Sequence, residues 1–235
     1  MNNVLKISLY AYIGGLPIII GGLLSAFLQS KKIGLKSTIN HWFVAFAGGA
    51  LISAIAFVLV PRSISVFSAP ELLVIFLSGT FTFMVIDMLI ARVGESLGIV
   101  ISMMMDFLPE ALALGATFAL SHKFGLLLAV FIGLQNLPEG FGSYIELTKR
   151  MKSRSALLLL FGLSFVGIIA ALSGVFFLSN KPAVVDLILL YAGGGIMYLV
   201  FQDIAPLSRG KNDWIPATGA SIGFVIGMIG EKILL

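Results

Sequence analysis

Asp106-Phe107-Leu108-Pro109-Glu110-Ala111 and, 29 residues further on, Gln135-Asn136-Leu137-Pro138-Glu139-Gly140 carry the same Leu-Pro-Glu in register. Each stands inside a long apolar run, and each has a polar side chain four residues before its glutamate. Residues four apart share a helix face, so Asp106 with Glu110 and Gln135 with Glu139 make two polar stripes on otherwise apolar helices. Proline has no backbone N–H to donate, which frees the carbonyls of Met105 and Leu134 one turn earlier and opens each helix there. An acid at this depth in a bilayer is costly and needs a partner, a proton or a role.

The rest of the chain makes a membrane the only plausible solvent. Of 235 residues, 59% are hydrophobic and only 11% charged, and the mean hydropathy is +1.08, more apolar surface than a soluble domain can hide. Apolar runs between charges and prolines give eight spans: Leu9–Gln29, His41–Pro61, Pro70–Val93, Leu97–Leu120, Phe124–Leu147, Ser155–Leu178, Ala183–Pro206 and Trp214–Leu234. The third and fourth are parted only by a short Gly-Glu-Ser segment, which leaves a re-entrant pair open. The expected fold is an all-α polytopic membrane protein forming one transmembrane domain over 1–235. Met1 to Lys6 followed by an apolar run imitates a signal peptide, but the run is long enough to span and lacks a small-x-small cleavage site, so it reads as helix one. With no cysteine, disulfides, thiolate metal sites and cysteine nucleophiles are excluded. The pI of 9.4 comes from loop and helix-end lysines and arginines without interleaved aromatics, which argues against nucleic acid.

A second repeat reinforces the first. Phe46-Ala47-Gly48-Gly49-Ala50-Leu51, running on to Pro61, matches Tyr191-Ala192-Gly193-Gly194-Gly195-Ile196, running on to Pro206, at an offset of 145. Helix two thus pairs with seven and four with five, always an even helix with an odd one, so matched helices cross the membrane in opposite senses. That is an inverted repeat arranged as three helices, two, then three, a plan common in secondary transporters, whose sites lie near the midplane where helices are broken. For the glycine-rich pair alone, chance similarity is an open alternative.

Positive charge sets the orientation. Lys31, Lys32, Lys36, Arg92, Lys149, Arg150, Lys152, Arg154, Arg209 and Lys211 fall on one side, and Lys6, Arg62, Lys123, Lys181 and Lys232 on the other, ten against five. The first side is expected to be cytoplasmic and both termini outside, in the cell membrane.

Packed side by side, helices four and five would present Asp106, Glu110, Glu139 and the Gln135 amide to one point, a set suited to a divalent cation. Alternatively the carboxyls are protonated and glue the helices together. Gln202 and Asp203, near the cytoplasmic end of helix seven, read either as an exit station or as an ordinary helix end. Asp87 reads as an ion pair with Arg92 or a solvated end, Met103, Met104 and Met105 as packing, and His41 and His122 as solvated loop edges. The glycines at 48, 49, 193, 194 and 195 read as close-packing positions.

These residues resemble the ZIP (Zrt/Irt-like) family of divalent metal transporters, whose fourth and fifth helices carry His-Asn-x-Pro-Glu-Gly and a related His- or Gln-led x-x-Pro-Glu-Gly. Helix count, outward termini and three-two-three order agree. The resemblance implies that Asp106, Glu110, Gln135 and Glu139 form the principal metal site and that Gln202-Asp203 stands for a His-Glu pair on helix seven. It also implies homodimers and alternating access, with metal as cargo and no prosthetic group. Asp106 stands where the family has histidine, Phe107 where it has asparagine, and helix six carries no carboxylate. A second metal position, which would need Phe107, Asn136 and a helix-six acid, is therefore expected to be dismantled. With oxygen donors alone, the remaining site leans toward Mn²⁺ or Fe²⁺, while family habit favours zinc.

Other functions are weighed on the same residues. Gln135-x-x-x-Glu139 fits the acidic half of undecaprenyl-diphosphate phosphatases, but the Pro-Gly-x-Ser-Arg-Ser loop those enzymes need is missing. Neither the Gly-x-Gly-Asp of intramembrane aspartyl proteases nor a His-Glu-x-x-His is present, so no enzyme is expected. A proton- or sodium-coupled carrier of organic solutes and a transport-dead homologue both remain open.

Overall fold

The computed structural model describes residues 3–31, 37–93, 95–118, 121–209 and 214–234. Lys32, Lys36, Gly94, Leu120 and Lys211, which entered the spans and the charge count, lie outside them. Every regular element among the described residues is helical. Helix α1 is Asn3–Ser30, and α2 begins as Ser37–Ala54, passes through one π-helical turn at Ile55–Leu59 and continues as Pro61–Val66. Next come α3 (Ala69–Val93), α4 (Glu95–Phe118), α5 (His122–Thr148) and α6 (Ser153–Leu178). Helix α7 is Pro182–Leu199 with a π-helical turn at Val200–Ile204 and a last turn Ala205–Leu207, and α8 is Pro216–Leu234.

Seven of these, α1 to α7, are long and apolar enough to cross a membrane. Helix α8, 19 residues ending near Glu231 and Lys232, is not among the seven. Helices α3 and α4 run 25 and 24 residues, and each is long and apolar enough to cross a membrane by itself. Prolines 17, 109 and 138 sit inside α1, α4 and α5, and each helix continues through its proline. Both π turns directly precede or contain the approach to a proline, Pro61 and Pro206, and they begin 145 residues apart, the offset of the glycine-rich repeat. Such a turn inserts one residue into the helical ladder and is a natural place for a helix to bend.

Helix α5 is the centre. Two-thirds (67%) of its apolar window is buried, against 11% for α3. It packs on α1, α4, α2 and α8, while α3 lies outside against α7 and α4. Leu73, Val74 and Phe81 of α3 are more than half exposed, a surface that hydrocarbon covers at no cost and water would not. The remaining main contacts are α1 with α6, α4 with α6, and α2 with α8.

What lets these helices come so close is glycine, used reciprocally. A Cβ added at Gly140 of α5 would collide with the Ile18 carbonyl of α1, and one at Gly21 of α1 with the Leu137 carbonyl of α5. The same exchange joins α2 to α8 (Gly49 on Ala220, Gly223 on Phe46), α3 to α7 (Gly79 on Tyr191, Gly194 on Phe76) and α4 to α6 (Gly115 on Ala171, Gly174 on Leu112). In a membrane, where apolar burial gives helices little reason to associate, such backbone-to-backbone approach supplies the van der Waals contact. Trp42 adds a hydrogen bond from its indole N–H to Thr218 Oγ1 at 3.1 Å, fixing α8 on α2.

Gly140→Ala is expected to push α1 off α5 and lower stability by about 1–3 kcal/mol, the usual cost of overpacking. Gly162→Ala, where an added Cβ meets nothing within 4 Å, is expected to be neutral or to stabilise by about 0.5–1 kcal/mol. Thermal unfolding in detergent, followed by size exclusion, compares the two.

Candidate functional site

Helices α4 and α5 run antiparallel, so one turn toward the end of α4 is one turn toward the start of α5. This register sets Asp106 opposite Glu139 and Glu110 opposite Gln135. The Asp106 and Glu139 carboxyls approach to hydrogen-bonding range, and Glu110 interacts electrostatically with Asp106 and Glu139. The Gln135 amide donates to Glu110 Oε2. Asp106 also accepts from the Phe107 N–H at 2.8 Å. Asp106, Glu110 and Gln135 are buried, and Glu139 is partly so. The two contacts, Asp106 with Glu139 and Glu110 with Gln135, are exchanged by the 29-residue offset of the Leu-Pro-Glu repeat.

The hydrogen bonding here is incomplete. Glu110 Oε1, Gln135 Oε1, Asn136 Oδ1 and Glu139 Oε2 are buried oxygens without a partner. Each such oxygen costs about 1–3 kcal/mol unless something binds it. Among the described residues no three His, Cys, Asp or Glu side chains are drawn together tightly enough to clasp an ion. The acids are neighbours that bond one another and an amide, and closing on a cation would require them to turn inward.

A cavity of about 730 Å³ reaches this site. Its wall includes Asn40 and His41 at the start of α2, Gly98 at the start of α4, Glu146 at the end of α5 and Leu207 at the end of α7, all at one end of the bundle. Farther in lie Leu51, Ile196 and Pro138, and the innermost acids on the wall are Asp106 and Glu139. Glu110 and Gln135, one turn deeper, are off it.

The other candidate residues are dispersed. Asn136 turns away from the acids and donates from Nδ2 to the Gly14 carbonyl at 2.8 Å, fastening α5 to α1. Gln202 and Asp203 part company, for Gln202 is exposed while Asp203 lies on the cavity wall. Phe107 is buried, its ring against Gly15 of α1 and Gly167 of α6, so closely that a Cβ at Gly167 would overlap it. Met103 is on the wall with its sulfur accepting from Ser143 Oγ at 3.0 Å. His41, expected at a solvated loop edge, instead lines the cavity mouth, and His122 stacks on Phe118 with ring centroids 4.5 Å apart.

Asp87 of α3 bonds across to α7. The described partner of its carboxylate is the Tyr198 hydroxyl, which donates to Oδ2 at 2.9 Å, and Asp203 feels its charge. The side chain of Arg92, its expected partner, lies outside the described ones. Tyr198 and Asp203 are five apart on α7, across the π turn, where ordinary helical spacing does not place them on one face.

No family model matches the chain. It is 31% identical over 145 residues to Zinc transporter GufA of Myxococcus xanthus, a match covering 60% of this chain and 57% of the relative's length. That relative supports the resemblance drawn from the two Leu-Pro-Glu helices.

Replacing Gln135 by leucine keeps the volume and removes the donor to Glu110. The expected loss is about 1–3 kcal/mol, read as a lower thermal midpoint in detergent, with Gln202→Leu at its exposed position unchanged.

Proposed function

We propose that this chain is a divergent member of the ZIP family and carries divalent cations across a membrane, holding the ion at Asp106, Glu110, Gln135 and Glu139. The observation that supports this most is the set of unpartnered carboxylate and amide oxygens buried midway along α4 and α5, where a cavity arrives from one face. A divalent ion between the carboxyls neutralises their mutual repulsion and engages the free oxygens at once. Carriage, more than permanent binding, fits a donor set that is assembled loosely and lies at the end of a path.

The three-two-three inverted repeat, with α8 counted as the eighth span, is supported by the packing. Overlaying helices one to three on six to eight in the opposite sense turns the α2–α8 contact into α7–α3 and the α1–α5 contact into α6–α4, and all four occur. The matched π turns follow the same rule. Excess positive charge makes the cavity mouth cytoplasmic, so the described conformation is open inward with both termini outside. Cell-membrane location and homodimers follow from the family.

Phe107, wedged against Gly167, occupies the space between α4, α1 and α6, so one ion binds per carrier, and Asn136 serves α1–α5 packing. Asp203, near Asp87 on the way to the mouth, gives the ion a second acidic stop, and Gln202 takes no part. All donors are oxygens, which favours Mn²⁺ or Fe²⁺, whereas the relative is named for zinc. A solute carrier is the second reading, favoured by a cavity far larger than an ion and within the 300–1,000 Å³ range typical of small-molecule sites.

Uptake into proteoliposomes decides. With Mn²⁺, Fe²⁺, Zn²⁺, Cd²⁺ and Co²⁺ presented in turn, flux of at least one is expected, falling by about a hundredfold or more in Glu110→Ala and Glu139→Ala, as loss of a buried charge-assisted ligand implies. No flux of any ion from folded protein would sink the metal reading, and metal-independent solute flux would replace it.

A further inference from the structure

The end of the bundle opposite the cavity mouth carries a cluster that the metal site does not use. Beyond the π turn of α2, Arg62 Nε lies 3.0 Å from Asp186 Oδ1 in the first turns of α7. Asp186 is 3% exposed, and the adjacent Ser63, fully buried, donates from Oγ to the Asp186 carbonyl at 2.9 Å. The Arg62 guanidinium also sits 5.0 Å from the ring centroid of Phe124 in the first turn of α5. One six-residue segment, Pro61–Val66, is thereby tied to the starts of both α7 and α5. Beneath it lie Val58, Leu59, Val185 and Leu189, all essentially inaccessible. His41 and Arg62 stand at opposite ends of α2, roughly 30 Å of helix apart, so the Arg62–Asp186 cluster and the cavity mouth lie at opposite ends of the bundle.

The 145-residue offset makes the two ends comparable position by position. Arg62 corresponds to Leu207 and Asp186 to His41. Both of those counterparts line the open cavity mouth. At one end these positions hold a base and an acid in an ion pair over a buried floor, and at the other they hold Leu207 and His41 on the wall of a cavity. A buried carboxylate within an ion pair resists separation, because parting leaves it uncompensated.

We propose that Pro61–Val66 is a gate segment, hinged at the π turn Ile55–Leu59 and latched by the Arg62–Asp186 ion pair, and that the latch holds the far end shut at rest and parts once in each transport cycle. The once-per-cycle opening rests on the carrier reading above. The latch itself does not, and the experiment separates them.

The natural absence of cysteine gives a clean background for thiol chemistry. In full-length protein in liposomes, a single cysteine at Leu189, one turn beneath Asp186, is labelled with a membrane-impermeant thiol reagent from the Arg62 side, without metal. Arg62→Gln is expected to raise the labelling rate about five-fold or more, the effect of roughly 1 kcal/mol on a gate equilibrium, and the exchanged pair Arg62→Asp with Asp186→Arg to bring it back down. Separately, Arg62→Cys with Asp186→Cys bridged by a short bis-methanethiosulfonate, which forms a disulfide to each cysteine as methanesulfinate leaves, is expected to stop metal uptake until reductant restores it. Equal labelling in all three Leu189→Cys backgrounds, each confirmed monodisperse, overturns the latch. Uptake at the wild-type rate through bridged protein overturns the once-per-cycle opening. Latch-dependent labelling in a chain that moves no metal upholds the gate and counts against the metal reading alone.

Discussion

The pairing of α4 with α5 governs this molecule. Three carboxyls and two amides stand together inside an apolar bundle, where each polar group left without a partner is costly. The antiparallel register answers them two at a time, Asp106 with Glu139 and Glu110 with Gln135, and Asn136 is spent on the Gly14 carbonyl. The answer is partial, because several of the oxygens keep no partner.

Everything around that pair is arranged to keep it central while leaving the helices able to move. Reciprocal glycines bring α1 onto α5 and α6 onto α4, backbone against backbone, with Phe107 of α4 wedged against α1 and α6. Helices α2 and α7, in contrast, are each interrupted by a π turn near a proline, and these two carry the segments that meet or part at the bundle ends. Continuous site helices beside jointed flanking helices suit the proposed carrier, with one site and two alternating entrances.

The two ends are alike in backbone and unlike in charge. Arg62 and Asp186 pair at one end, and their counterparts Leu207 and His41 line a cavity of about 730 Å³ at the other. The proposed inverted repeat would supply two equivalent conformations, and the proposed latch in one half would make them unequal in energy. The described conformation, with its mouth on the side of the positive loops, is the one such a bias favours.

The chain's own order of residues determined the membrane-embedded helical class and where seven apolar helices run, because hydropathy over about twenty residues is a local property. It also placed Asp106, Glu110, Gln135 and Glu139 together, since four-residue spacing on adjacent antiparallel helices leaves few other arrangements. What only the tertiary structure decided are the properties that depend on which way a side chain turns. Asn136, adjacent to Gln135, faces α1 and not the acids, Gln202 and Asp203 diverge across a π turn that no hydropathy pattern announces, and Phe107 fills space opened by Gly167 on a distant helix. Arg62 and Asp186 were visible as a base and an acid at the same end of two spans, yet 124 positions separate them, and only the fold brings Nε to 3.0 Å from Oδ1. Local periodicity records which face of its own helix a residue occupies; which neighbour that face meets is a property of the packed bundle.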